Sequence, residues 1–258
     1  QIFHRQSTAY YPGGKITMLP ENWISAFSLD AGGERLAVSI YFDVNEQLEV
    51  SNPQTRVERV NISENLRIGA IEPHFNAENG LDAEGEAMFA HHGELVWFYR
   101  LAIALQKQRG KYIEDATPIY DYGIEFADDG KVRISTRERG SPIDTLVSEM
   151  MILANSTWAE MLHNADLPGL FRVQPAGKVR MSTQSEPHIG MGVAHYGWFT
   201  SPLRRNADYI NQKQLASLIG IGEPRFENGD TMLFAALRDF DTTYSAYNEF
   251  QRELEGYW

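Results

Sequence analysis

The sequence predicts an α+β domain in which a mixed or antiparallel sheet is packed by long helices. Strand-type alternation and glycine-bearing turns crowd the first half of the chain, whereas capped helical patterns dominate from Ser141 onward. With 258 residues and 43% hydrophobic content, the chain is long and apolar enough to bury a sizeable core as one domain or most of one.

Leu36, Val38, Ile40, Phe42 and Val44 alternate with Ala37, Ser39, Tyr41 and Asp43, the period of a half-buried strand. Trp23 to Leu29 is its expected partner, joined through Asp30-Ala31-Gly32-Gly33, whose glycines suit a tight hairpin. A second hairpin is expected from Tyr120 to Phe126 and Lys131 to Ser135 around Ala127-Asp128-Asp129-Gly130. Ser63 to Ile68 reads as a short helix. Asp82 to Arg109 reads as a long one, because Met88, Leu95, Phe98, Ala102 and Leu105 return at helical spacing despite Gly85 and Gly93.

In the second half, Ser141 can cap a helix, Pro142 suits its first position, and Asp144 favours the positive end of its dipole. An apolar stripe from Ile143 through Met150 and Trp158 to Leu162 carries that helix to about His163. A further helix is expected with Thr200 or Ser201 as N-cap, Pro202 in the first turn, and Leu203, Ala207, Ile210, Leu215 and Leu218 facing inward. A last helix starts near Thr231, where Leu233, Leu237, Phe240, Tyr244, Tyr247 and Leu254 recur.

The net charge of −12 argues against a broad basic surface for nucleic acid, since phosphate contacts need Lys and Arg. It leaves room for a narrow cationic pocket. The absence of cysteine rules out disulfides and thiolate metal sites, and suits a reducing cytoplasm, the expected location. No tract approaches the roughly 20 apolar residues of a membrane span, and no signal-peptide pattern leads the chain, so no membrane partner is expected.

The segment most suited to chemistry is Thr200-Ser201-Pro202-Leu203-Arg204-Arg205-Asn206-Ala207-Asp208. A capped helix start would bring free backbone N–H groups beside two guanidinium groups, a combination that binds phosphate. Asp208 lies four residues after Arg204, where it would orient that side chain. An ordinary surface helix with an i,i+4 ion pair is the plainer reading of the same spacing.

His188, Tyr196 and the run Phe199 to Arg205, followed by Asp208 and Gln212, resemble the signature of the ribonuclease II / ribonuclease R (RNB) family. Tyr10-Tyr11-Pro12 with Met18-Leu19-Pro20 is similar to a second family segment, and Val147 to Asn155 and Arg172-Val173-Gln174-Pro175 agree in order and spacing. Two positions depart: the family usually has an aromatic residue where Asn206 stands, and a larger residue at Gly197.

The resemblance implies an RNB-type catalytic domain that hydrolyses single-stranded RNA from the 3′ end to nucleoside monophosphates with Mg²⁺. It puts Arg204 on the scissile phosphate as the catalytic candidate. Tyr10 would pack on the RNA near its 3′ end, Arg172 would line the RNA path, and Glu149 and Asn155 would sit near the channel. Thr200, Ser201 and Arg205 would complete the RNA-binding set, with Asp208 orienting.

The family's metal-binding aspartates precede the segment equivalent to Tyr10, and no Asp stands before Tyr10 here. Residues 1–258 are therefore expected to be a partial catalytic domain without its own metal ligands. Asp128-Asp129 reads as a turn, and Asp239 with Asp241 and His91-His92 with Glu94 lack ligand spacing. The alternative to a nuclease is a noncatalytic RNA-binding or scaffold module with a decayed nuclease fold.

Overall fold

A computed structural model of the protein describes residues 2–81, 89–114, 117, 119–126 and 131–256. It bears out the α+β expectation, with strands first and long helices last. The strands form four separate antiparallel ribbons of two strands each.

The chain opens with a short helix, α1 (Ile2–Arg5), and a small ribbon of β1 (Ala9–Tyr11) with β2 (Gly14–Ile16). The expected strand at Trp23 is instead a helix, α2 (Glu21–Phe27). Pro20 at its N-cap has φ −59°, and Glu21 lies in its first turn. Trp23 and Phe27 meet one turn apart with ring centroids 6.1 Å from each other.

The alternating segment is borne out as β3 (Gly33–Val44), but its partner is β4 (Val50–Ile62). That turn contains no glycine: Asn45 Oδ1 accepts from the N–H groups of Gln47 and Glu49, at 3.0 and 2.9 Å, and Leu48 takes φ 61°. Pro53, a residue that argues against a strand, sits beside Asn52 where the register shifts between Tyr41 and Asp43. Val38 and Ile40 press this ribbon onto the helical core.

The short helix expected at Ser63 to Ile68 is displaced to α3 (Ile68–Ile71), with only Ile68 in common. The long helix is described as α4 (His92–Gln108); its expected start, with Met88 and Gly85, lies outside the described residues. The second hairpin is present as β5 (Ile119–Phe126) and β6 (Val132–Arg139), while its Asp128-Asp129 turn lies outside the described residues. In α5 (Pro142–Asn164) the Ser141 hydroxyl accepts from Asp144 N, as the capping pattern predicts. A ribbon of β7 (Phe171–Val173) and β8 (Arg180–Ser182) leads to α6 (Asn206–Leu218) and α7 (Thr231–Gly256).

Two adjoining clusters make the core around α6. Tyr196, Trp198, Ile210, Leu233 and Phe240 fill one, and Trp158, Leu162, Phe171, Phe199 and Leu215 the other. A third cluster, with Phe75, Val96 and Ile143, joins α3, α4 and α5.

Buried amide side chains stitch the loops to α6. Gln214 donates to Pro168 O and Phe226 O, and accepts from Arg225 N and Phe226 N. Asn211 accepts from Leu170 N and donates to Leu170 O and Trp198 O. Replacing Gln214 by Leu strands four backbone groups, so chemical denaturation is expected to show a loss of at least about 2 kcal/mol. A loss below about 0.5 kcal/mol would show that the stitch is dispensable.

Candidate nucleic-acid interface

The signature segment is folded by one carboxylate. Asp208 Oδ1 accepts from Ser201 N at 2.7 Å, while Arg205 Nε and Nη2 fork onto both oxygens at 2.7 and 2.8 Å. Asp208 is fully buried and Arg205 is 6% exposed. The expectation that Asp208 orients Arg204 is thus corrected: its partner is Arg205.

The cause is the helix start, which lies later than Thr200 or Ser201. Residues 202–205 form a turn whose Arg204 and Arg205 N–H groups return to Ser201 O, and α6 begins only at Asn206. Arg205, the N-cap, is extended (φ −140°, ψ 127°) because the N-terminal strand captures it. Ser7 bridges Arg205, Thr8 N donates to Arg204 O at 2.9 Å, and Asn206 N donates to Gln6 O at 2.8 Å. With Arg204 outside the helix, the i,i+4 rule does not reach it.

Arg204 therefore stands exposed, and no side-chain acceptor meets its guanidinium among the described residues. Beside it Thr200 Oγ1 is buried without a hydrogen-bond partner. The N-terminal segment that braces this turn also carries Tyr10, whose ring is 39% exposed on β1. Asn206, which departs from the family pattern, donates from Nδ2 to Gln6 Oε1 at 2.7 Å and so secures that brace. Gly197, the other departure, is required by close packing: a Cβ there would come within 2.9 Å of the Phe199 ring.

Three further candidates lie behind the segment. Asn155 is buried in α5 and accepts from Phe199 N at 2.9 Å. The Arg172 guanidinium stacks over the Trp198 indole, 4.1 Å from its centroid, and Arg205 lies over the same ring at 4.2 Å. Burial lowers the Arg172 pKa, and Arg205 pushes in the same direction. Glu149 is neither solvated nor open: Arg109 Nη2 forks onto its two oxygens at 2.6 and 2.5 Å, and Arg109 Nη1 also donates to Met191 O. This pair walls a cavity of about 320 Å³ with Leu105, Ile152 and Gly192.

Arg109 and Trp198 are site residues that sequence reasoning missed. Trp198 was visible inside the signature segment, next to Phe199, whereas nothing in the pattern of α4 marks Arg109 as the partner of a residue 40 positions on. His91 faces Glu64 and Glu94 at 3.7 Å while His92 bonds Gly80 O, so these histidines do not converge. Among the described residues no group of three or more His, Asp and Glu side chains is arranged to hold a metal ion. The Mg²⁺ that the resemblance implies therefore finds no fitting donor set among them.

The family model described as the RNB domain matches residues 1–181 and 176–221. The chain belongs to the RNB domain family. Among curated proteins, Exoribonuclease 2 of Sodalis glossinidius (strain morsitans) is 40% identical over 58 residues, which is 22% of this chain and 9% of that protein. Mycoplasma genitalium RNase R, solved with double-stranded RNA, superposes with a TM-score of 0.81 at 18% identity, over 99% of this chain and 56% of that one. Yeast Ssd1, a pseudonuclease, gives 0.72 at 15% identity, over 98% of this chain and 37% of that one. The RNB chain described here spans about half the length of the RNase R structure and far less of the curated relative. These structural likenesses carry the fold.

The ionisation of the buried groups sets a pH dependence. Burial, then Arg172, lowers the His188 pKa; burial, then the stacked His163 ring 4.3 Å away, lowers that of His195. Both folded values lie below the unfolded imidazole value of about 6.5. Their contribution to stability is thus present above that value and is lost as pH falls through it toward the folded values. Thermal melting should drop between about pH 7.5 and 5.5, and His195→Gln should flatten part of that drop. A drop identical in the variant would remove His195 from the account. At neutral pH, Asp208→Asn should cost about 3–5 kcal/mol in chemical denaturation, because Arg205 would keep a buried charge without its partner.

Proposed function

We propose that this RNB chain is the RNA-gripping part of a 3′-to-5′ exoribonuclease acting on single-stranded RNA, and that Arg204 is its phosphate contact. The observation that carries this reading is the contrast between the two arginines. Arg205 is spent on Asp208 and Trp198, whereas Arg204, on the same rigid turn, projects outward with no acidic partner among the described residues. A guanidinium held this way can fork onto phosphate oxygens and oppose charge that develops there. Tyr10 offers a ring on which a base can stack, a contact contributing on the order of 1–3 kcal/mol.

Thr200 and Ser201 border the same turn. Glu149, Asn155 and Arg172 act from behind it: Asn155 supports the Phe199 backbone, Glu149 is held by Arg109, and Arg172 borders the Trp198 face. No step is assigned to Mg²⁺, because the described residues do not supply its ligands.

A second reading, a noncatalytic RNA-binding module, is favoured by the likeness to yeast Ssd1, a pseudonuclease. The test is 5′-labelled single-stranded RNA with Mg²⁺ and the protein in the longest form its gene encodes. The nuclease reading expects stepwise shortening from the 3′ end, which Arg204→Ala slows by about a hundredfold while RNA affinity changes far less. Equal losses in rate and affinity would contradict the role given to Arg204. Salt-dependent binding without shortening selects the noncatalytic module, and no binding at any salt concentration sinks both readings.

A further inference from the structure

A single 3₁₀ turn, Ile189–Met191, leads into the segment that carries Tyr196 and Trp198. It is closed on itself: His188 N donates to Val193 O at 2.9 Å, and His188 O accepts from Met191 N and Gly192 N at 3.0 Å each. Two outside side chains hold it. Gln174 Oε1, just past β7, accepts from Gly190 N at 2.9 Å, and Arg109 Nη1 donates to Met191 O. Gly192, at φ 68°, lies so near the end of α4 that a Cβ there would come within 2.7 Å of Arg109 O. The turn is thus gripped between the end of β7 and the end of α4.

Arg109 makes this contact while its Nη2 forks onto both oxygens of Glu149, at 2.6 and 2.5 Å, and the two side chains are only 13% and 4% exposed. One guanidinium therefore joins α4, α5 and the turn, a reach that its several N–H donors allow and an ammonium does not match. A cavity of about 320 Å³ borders the pair, Ile152 and Gly192. Side-chain packing does not fix the turn on that side, so its place there depends on the hydrogen bonds of Arg109. A buried ion pair adds little net stability over an apolar pair of similar size, whereas its directional bonds fix geometry.

Packing couples the turn to the signature segment. Met191 and Val193 press on the same cluster as Tyr196 and Trp198, and Arg205 lies over the Trp198 ring. The far end of the segment is held from α5 as well, where Asn155 accepts from Phe199 N.

We infer that Arg109 is a positioning residue: by holding Glu149 and Met191 O together it sets the turn before the signature, and with it the Trp198 seat behind Arg204. Glu149 acts through Arg109 and not on RNA directly. The clamp stands on these contacts alone, while its effect on Arg204 rests on the RNA reading above.

Two variants separate geometry from charge. Arg109→Lys keeps a cation for Glu149 and loses the fork together with the bond to Met191 O, whereas Arg109→Met with Glu149→Met removes both charges and strands neither. Both should melt within about 10 °C of the parent. Amide hydrogen exchange at Met191, Gly192 and Phe199 should nevertheless quicken by about tenfold or more in each, with Leu101 and Ala102 in the middle of α4 unchanged. On 5′-labelled single-stranded RNA with Mg²⁺, each should shorten the strand about tenfold more slowly, with RNA affinity within about twofold. In an Arg204→Ala background the further loss should stay under about twofold, because both changes act through one guanidinium.

A merely structural role would add its full loss to that of Arg204→Ala. Such additivity, unchanged exchange at Met191 and Gly192, or melting more than about 10 °C lower in both variants each overturns the positioning role. If the parent does not shorten RNA, the nuclease reading fails, and exchange at Met191 and Gly192 alone decides whether Arg109 holds the turn.

Discussion

The buried carboxylate of Asp208 organises this part of the molecule. A charge placed so deep is tolerated only when its lone pairs are engaged, and both oxygens are met, by a guanidinium fork and by the Ser201 N–H. Those contacts close the turn that holds Pro202 to Arg205 and pull Arg205 inward onto Trp198. They also leave Arg204 nowhere to go but outward. The division of labour between two adjacent, chemically identical side chains thus follows from a single acceptor that only one of them reaches.

Neutral amides do much of the remaining positioning. Asn155, Asn211, Gln212 and Gln214 each bind backbone groups of loops that lack a ladder of their own, and Gln6 with Asn206 ties the N-terminal segment to the head of α6. An amide carries a donor and an acceptor without the desolvation cost of a charge, which suits it to a crowded core. Gln6 adopts φ 53° to make this contact, a conformation that the surrounding bonds must hold in place.

The acidic balance of the chain is compatible with an anion-binding face because several cations elsewhere are neutralised locally. Arg109 is taken by Glu149, Arg137 by Glu72 and Asp144, Arg139 by Asp121, and Arg180 by Glu186. Against that background Arg204 keeps its charge available at the surface. A small positive site in an otherwise negative chain favours ligands that reach it directly over ones held by a diffuse field.

The helices with caps and clear periodicity were legible from residues alone: Ser141, Pro142 and Asp144 specify the start of α5 by local hydrogen bonding and dipole terms that need no partner. The signature from Phe199 to Asp208 likewise carried the family and pointed to Arg204. What the sequence could not decide was pairing across distance. Trp23 to Phe27 is apolar enough for a strand yet closes as a helix, and β3 takes the polar β4 as its partner. The turn at Asn45 works through a side-chain oxygen rather than a glycine.

The start of α6 moved for the same reason. Ser7 and Thr8, nearly 200 residues away, claim the backbone of Arg204 and Arg205 and hold it extended, against a local pattern that favours a helix from Thr200. Local propensity contributes a few tenths of a kcal/mol per residue, less than several buried hydrogen bonds formed together. The sequence by itself therefore determined which residues are chemically capable at this site. Only the tertiary structure decided which arginine faces the solvent and which one Asp208 holds inward.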